Sequence, residues 1–121
     1  MWKIKRNLTE SIFLASKNTL PNEFFGLISG KDETLKELVL IPGTVMSQHY
    51  SLFYPHLLPV DFSLKGTIHS HTGYSNLPSN ADLRTFSRYG KINFIVCKPF
   101  NLNSLKAFNL KGIETEFEVI D

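Results

Sequence analysis

Residues 66–82 read GTIHSHTGYSNLPSNAD, and the fold follows from how this stretch divides. Gly66 to Ser70 continues an apolar strand that begins at Leu64. Side chains at i and i+2 of a strand share a face, so His69 and His71 project together while Ser70 turns away. Pro78-Ser79 followed by Asn80-Ala81-Asp82-Leu83 opens a helix with Ser79 at its N-cap, and Asp82 falls in the first turn close to Ser79. A strand that delivers two imidazoles and a helix start that delivers one carboxylate together supply three protein ligands. Three ligands and one open position is the arrangement of a catalytic zinc, whereas structural sites are usually closed by four. The stretch reads as a metal hydrolase site. The plainer reading of its second half is a capping box, in which Ser79 caps the helix and Asp82 reaches back to the N-cap amide.

The rest of the chain supplies a sheet for that strand. WKIKR alternates and is expected as a first strand, at a sheet edge given its lysines. Asn7 is placed as an N-cap with Glu10 at N3, and Leu8, Ile12 and Ala15 share one helical face. The helix stops near Thr19-Leu20-Pro21, since proline disfavours helical geometry in the residue before it. Glu23 to Gly30 is a buried strand bounded by turn residues, with Glu23 at its mouth. An acid there is usually a solvated end residue, but a zinc hydrolase also needs a carboxylate that is not a ligand, to move a proton. Glu23 is the candidate.

Glu37 to Ile41 is a further strand, closed by Pro42-Gly43. Ser47 to Val60 is hard to read, with a short strand possible over Ser51 to Tyr54; His49 and His56 lie here without ligand-like spacing and read as ordinary loop or surface histidines. After the helix from Ser79 to about Tyr89, with Leu83 and Phe86 inward and Gly90 as its stop, Ile92 to Cys97 is an apolar run expected to be covered on both faces. Ser104 to Asn109 and Glu114 to Ile120 alternate, and Lys111-Gly112 between them makes a hairpin turn. The order points to one mixed β-sheet with helices packed on it, α/β or α+β in class.

Size and composition narrow the function classes. At 121 residues, residues 1–121 are expected to form a single domain able to bury a core without staples. The net charge is +2, and acids and bases are interspersed, so neither a nucleic-acid stripe nor an acidic binding arm stands out. The one cysteine, Cys97, has no partner for an intramolecular disulfide and reads as a buried strand residue. No signal peptide or bilayer-length apolar run is apparent, and the chain reads as cytosolic.

Glu23, His69, Ser70, His71, Ser79 and Asp82 together spell E…H-S-H-x7-S-x2-D, which resembles the motif of the JAMM (MPN+) metalloproteases. PNEFFGLISG is similar to that family's glutamate-bearing strand, GTIHSH to its ligand strand, and FSRYGKINFIVCKPF to the helix end and strand that follow. The similarity covers nearly the whole chain and is closest to small stand-alone archaeal members. The resemblance implies a cytidine-deaminase-like JAMM/MPN fold holding one zinc ion per chain. His69, His71 and Asp82 would be the metal ligands, Glu23 the general acid/base, and Ser79 a stabiliser of the oxyanion. The implied activity is cleavage of peptide or isopeptide bonds after the C-terminal Gly-Gly of a ubiquitin-like modifier protein or its conjugates.

The sequence departs from that family at Thr72-Gly73, where proline commonly follows the second histidine. This leaves the ligand set intact and is expected to loosen the Thr72 to Leu77 loop. The chain also lacks room for the insertions by which larger relatives grip ubiquitin chains. Two neighbouring readings keep the fold: a peptidase that trims a sulfur-carrier precursor to expose its Gly-Gly terminus, and a non-catalytic MPN scaffold. Scaffolds of this kind typically lose the ligands, and this sequence keeps them all.

Overall fold

The structure, a computed structural model of the chain, describes residues 1–40, 45–46, 51–52 and 64–121. His49 and His56, and the turn at Pro42-Gly43, lie outside the described residues. Among the described residues, ten strands and two α-helices run in the order β1 (Trp2–Lys5), α1 (Arg6–Thr19), β2 (Phe25–Lys31), β3 (Thr34–Val39), β4 (Val45–Met46), β5 (Ser51–Leu52), β6 (Leu64–Ser70), α2 (Asn80–Tyr89), β7 (Ile92–Val96), β8 (Leu105–Phe108), β9 (Glu114–Thr115) and β10 (Phe117–Ile120), with a 3-10 turn at Leu102–Ser104 before β8. Eight strands form one mixed sheet in the order β10-β1-β3-β2-β6-β7-β8-β9, and β4 pairs with β5 apart from it. The expected α/β class, a single mixed sheet with helices packed on it, is what the chain adopts.

Chain geometry forces this sheet to curl. β9 and β10 lie on opposite edges, yet only Glu116 separates them. Eight flat strands spaced by roughly 4.8 Å would hold their outer members about 34 Å apart. The two peptide steps from Thr115 to Phe117 reach at most about 7 Å. The two edges must therefore approach each other. This overturns the expected hairpin of Ser104–Asn109 with all of Glu114–Ile120. Only Glu114-Thr115 pairs back on β8, and Phe117–Ile120 then pairs in parallel with β1.

The same crossover moves β1 off the edge where its lysines would place it. β1 is flanked by β10 and β3, parallel to both, and Ile4 is fully buried. It also removes the expected cap at Asn7. β1 runs straight into α1, so the extended Lys5 occupies the N-cap position without a side-chain hydrogen bond.

The two faces of the sheet follow the parity of the strands. Phe24, Ile28, Ile68, Phe94 and Val96 join Leu8 and Ile12 of α1 in the main core. On the opposite face Ile95 meets Phe86 of α2 and Phe108. β7 is thus buried on both faces, as its unbroken apolar run predicts, and His69 lies on the α2 face. Leu83, expected to point inward from α2, is instead 37% exposed, and its side chain occupies the space a Cβ on Gly112 would need. Among the described side chains of α2, Phe86 carries the apolar inward contact.

Close backbone approach fixes where α2 meets β6. A Cβ on Gly66 would run into the Ile92 carbonyl oxygen, and one on Gly90 would stand 2.6 Å from the Gly66 Cα. Gly90 stops the helix in this way with extended geometry, φ −175°, and not through a left-handed turn. Replacing Gly66 by alanine must push β7 away from the strand that carries His69. Gly66→Ala is expected to lower stability by roughly 1–3 kcal/mol or more in urea unfolding, the usual cost of overpacking; an unchanged midpoint would contradict this packing.

Candidate metal centre

Three of the five candidate residues converge at the end of β6 and the start of α2. His69 is the penultimate residue of β6, and His71 follows the strand end with its amide N–H donating to the Val96 carbonyl at 2.8 Å. Asp82 enters from α2 through a complete capping box. The Asp82 amide N–H donates to Ser79 Oγ at 3.1 Å, and the Ser79 amide N–H donates to Asp82 Oδ2 at 2.9 Å. Capping box and donor site are therefore the same object: the cap aims the carboxylate. His71 Nε2 lies 2.9 Å from Asp82 Oδ2, and His69 Nε2 lies 4.0 Å from Asp82 Oδ1.

Proton positions follow from the partners. His71 Nδ1 faces the Ser75 carbonyl at 2.9 Å, and its Nε2 faces a carboxylate. Both partners accept, so the doubly protonated ring is the form that satisfies both of them. Burial works to lower the His71 pKa, but the hydrogen bond and charge of Asp82, the Ser75 carbonyl and the charge of Glu23 outweigh it, and the net shift is upward. Asp82 is 6% exposed. Burial opposes its charge, yet His71, His69 and the Ser79 amide hold its pKa down at about 2. His69 is driven the other way. Burial pushes its pKa down to about 4 against the pull of Asp82, so at neutral pH it is an uncharged imidazole and its approach to Asp82 is not an ion pair.

No three His, Cys, Asp or Glu side chains among the described residues already stand as a metal cage. What the trio forms is a proton-linked cluster, and its chemistry fits a zinc ion. The set is one neutral imidazole, one ionised carboxylate, and a second imidazole whose Nε2 gives up its proton when metal replaces it. Two donors on one tetrahedral zinc stand about 3.3 Å apart for bonds of about 2.0–2.1 Å. The His71–Asp82 separation must open by a few tenths of an ångström, and the His69–Asp82 separation must close by somewhat more. Outer partners are in place for His71, through Ser75. The His69 ring is set by packing, 4.6 Å from the Phe25 ring and 6.2 Å from that of Phe86 between centroids, and its buried Nδ1 has no hydrogen-bond partner.

Glu23 reaches the same place by strand register. β2 and β6 pair antiparallel with Phe25 opposite His69. The ladder continues one residue further, where the Ser70 amide N–H donates to the Phe24 carbonyl at 2.8 Å and the Phe24 amide N–H donates to Ser70 Oγ at 2.6 Å. Glu23 is next in that register, across from His71. Its half-buried carboxyl is pushed up to about 7, chiefly by burial, with His71 pulling it down and Asp82 pushing it up. Glu23 precedes β2 and is not its first residue, so it is held by Phe24 and not by a pairing of its own.

Ser70 was legible only as a side chain turned away from the donors. Its hydroxyl clamps the Glu23-bearing segment to the histidine strand, and a buried serine in an apolar strand is itself a signal that some donor needs it. The Ser75 carbonyl leaves no mark in the sequence. Ser79 is exposed at the mouth of the cluster. Its oxygen serves the cap as acceptor, and among the described residues no acceptor takes its hydroxyl proton in a hydrogen bond. Cys97, expected within the strand, is buried just past the end of β7, and burial pushes its thiol up.

Residues 5–111 match the family described as prokaryotic homologues of the JAB domain. A Haloferax volcanii protein described as a "probable metalloprotease" is 32% identical over 117 residues, covering 88% of this chain and 72% of its own. A JAB1/MPN domain protein from Archaeoglobus fulgidus superposes with a TM-score of 0.80 at 39% identity, over 98% of this chain and 99% of its own. A structure described as JAMM, a metalloprotease-like zinc site in the proteasome and signalosome, does so with a TM-score of 0.80 at 36% identity, over 100% and 99%. A protein from Desulfitobacterium hafniense, at 17% identity and a TM-score of 0.75, shares the fold.

The raised Glu23 pKa has a direct readout. In metal-free protein, carbon-13 NMR titration of the Glu23 carboxyl is expected to show a midpoint near 7, against an ordinary 4.5. A carboxyl whose folded pKa exceeds its unfolded value holds its proton longer in the native state. Its stabilising contribution is present below pH 4.5 and is lost as pH rises through about 7. Glu23→Gln should therefore flatten that part of the stability profile. A midpoint near 4.5 would contradict the burial and coupling described above.

Proposed function

This chain belongs to the JAB/MPN family in its prokaryotic branch, and on that footing we propose that it is a zinc-dependent peptidase or isopeptidase. The observation that carries the reading is Glu23. A carboxyl outside the donor trio, coupled to it and with a pKa of about 7, is what proton transfer at neutral pH asks for. His69, His71 and Asp82 are the proposed zinc ligands, with one ion per chain. Bound there, zinc would supply Lewis acidity to an attacking water and to the scissile carbonyl.

The chain's own residues do the rest. Glu23 accepts a proton from the attacking water and returns it to the departing amine. The Ser79 hydroxyl, whose proton the cap does not use, donates to the oxygen on which negative charge develops. Ser70 keeps Glu23 opposite the donors through the Phe24 amide. Burial of His69 and Asp82 excludes bulk water from the inner side of the cluster.

The proposed substrate is the extended Gly-Gly tail of a ubiquitin-like modifier protein, joined to a lysine. The motif and the family support this, and so does the surface beside the site. The loop after His71 exposes Tyr74 and Leu77, and it borders a groove of about 310 Å³ whose far wall runs from Lys98 to Ser104. An extended peptide gains affinity from main-chain hydrogen bonds and selectivity from side-chain fit. The same cleft would accept the tail of a sulfur-carrier precursor. The reading also places the protein in the cytoplasm; within the described residues no helix is long and apolar enough to cross a membrane.

Incubation with a panel of lysine-linked and linear Gly-Gly fusions, with and without chelator, tests the proposal. Cleavage after the second glycine, abolished by chelator and by leucine at either terminal glycine, is the expected result. Equal cleavage of glycine and leucine tails would mean a general peptidase. Glu23→Gln should keep its zinc while turnover falls by about 10²–10⁴-fold or more, the usual worth of a general acid–base group; near-normal turnover would remove Glu23 from the reaction.

A further inference from the structure

We propose that Asn76 is a positioning residue for His71, acting through the Ser75 carbonyl, so that a loop side chain which is not itself a donor helps to set the metal affinity. The inference rests on the zinc reading above and goes beyond it to what governs the strength of the site.

His71 and His69 are held by different means. His69 sits inside β6 between two aromatic rings. His71 lies beyond the strand end and is half-buried, and its ring is oriented by the hydrogen bond from Nδ1–H to the Ser75 carbonyl. A main-chain carbonyl four residues downstream can fix a ring only if the intervening loop is itself fixed. The loop fixes itself only weakly, through a long hydrogen bond from the Leu77 amide N–H to Ser75 Oγ at 3.4 Å. It has no helix or strand; Gly73, Tyr74 and Ser75 are exposed, and a Cβ at Gly73 would meet nothing within 4 Å.

Two hydrogen bonds tie the loop to the opposite wall, beside a longer contact of Lys98 Nζ 5.9 Å from the Tyr74 ring centroid. The Lys98 amide N–H donates to the Gly73 carbonyl at 2.9 Å, and Asn76 Nδ2 donates to the Ser104 carbonyl at 3.0 Å. The first is main chain to main chain. The second is the only one of the two that a side chain controls, and it comes from the residue next to Ser75.

Its anchor is firm. Ser104 is 5% exposed, its amide N–H donates to the Asn101 side chain at 3.2 Å, and its carbonyl also accepts the Cys97 amide N–H at 3.3 Å. A carbonyl has two lone pairs, and these two donors use both. The line of force runs from Ser104 through Asn76 to the Ser75 carbonyl and the His71 ring. Outer partners of ligating histidines set tautomer and ring orientation in this way.

Asn76→Ala removes the tether, and Asn76→Asp keeps the shape but sets a carboxylate oxygen against the Ser104 carbonyl. The Gly73 tether survives in both, so the fold is expected to persist, as circular dichroism would record. Competition of metal-free protein against a chromophoric chelator for zinc should show the dissociation constant rising roughly 10-fold or more in each, within the range known for outer-shell partners. Asn103→Ala, which removes another amide side chain from the same groove, should bind zinc as the wild type does. Nitrogen-15 spectra of the metal-free histidine rings should show the His71 Nδ1–H resonance moving while those of His69 stay.

Wild-type protein that fails to bind zinc would overturn both this inference and the zinc reading. Wild-type binding with unchanged affinity in both variants would overturn the role of Asn76 alone. Weakened binding with an unmoved His71 resonance would do the same, because it would mean general loosening and not ring positioning.

Discussion

A buried carboxylate has to be satisfied from several directions at once, and Asp82 sets that demand for this fold. Several kcal/mol of solvation are lost when such a group is taken out of water, and removing one partner of a buried pair costs about 3–5 kcal/mol. Its partners come from three parts of the chain: the Ser79 amide that opens α2, the His71 ring beyond β6, and the nearby His69 within it. Helix start, loop and strand are therefore fixed relative to one another by a single side chain. His71 Nε2 and Asp82 Oδ2 stand 2.9 Å apart in the metal-free cluster, and these are two of the atoms that the proposed zinc would take as ligands.

The proposed catalysis needs that cluster to stay distinct from Glu23, and register in the sheet keeps the two apart. β2 runs antiparallel to β6, so the residue across from His71 is set by counting back from the Phe25–His69 pair. Ser70 closes the ladder with its hydroxyl where β2 has ended, and it leaves Glu23 beside the donors without making it one of them. The curl that brings β9 and β10 together buries Ile4 and the α1 face in one core, while α2 covers the other side of β6. The ligand strand is thus held from both faces, and its histidine end opens onto the loop.

Much of this was legible in the sequence because the deciding signals are local. Period-two alternation places His69 and His71 together, and Ser79-x-x-Asp82 announces a helix start whatever the rest of the chain does. What the sequence hid depends on distant partners. WKIKR looks like an edge strand until β10 arrives from the far end of the chain to cover it. Asn7 looks like a cap until β1 is seen to flow into α1 without a turn. Leu83 fits the inward stripe of α2 but is drawn to the bare backbone of Gly112. The Ser75 carbonyl acts as a main-chain group, which every residue carries and no letter of the sequence distinguishes, and the Ser70 hydroxyl clamps a main-chain N–H from a strand distant in sequence. The candidate ligands were readable as side chains, and the means of holding them were not.

The central claim is that two imidazoles and one carboxylate of this chain hold a single zinc ion. X-ray absorption at the zinc edge, on protein loaded with zinc and freed of excess, tests it most directly. The expected result is one zinc per chain with a first shell of nitrogen and oxygen only, and with the outer-shell scattering of two imidazole rings. A sulfur scatterer from Cys97, or fewer than two imidazoles, would contradict it.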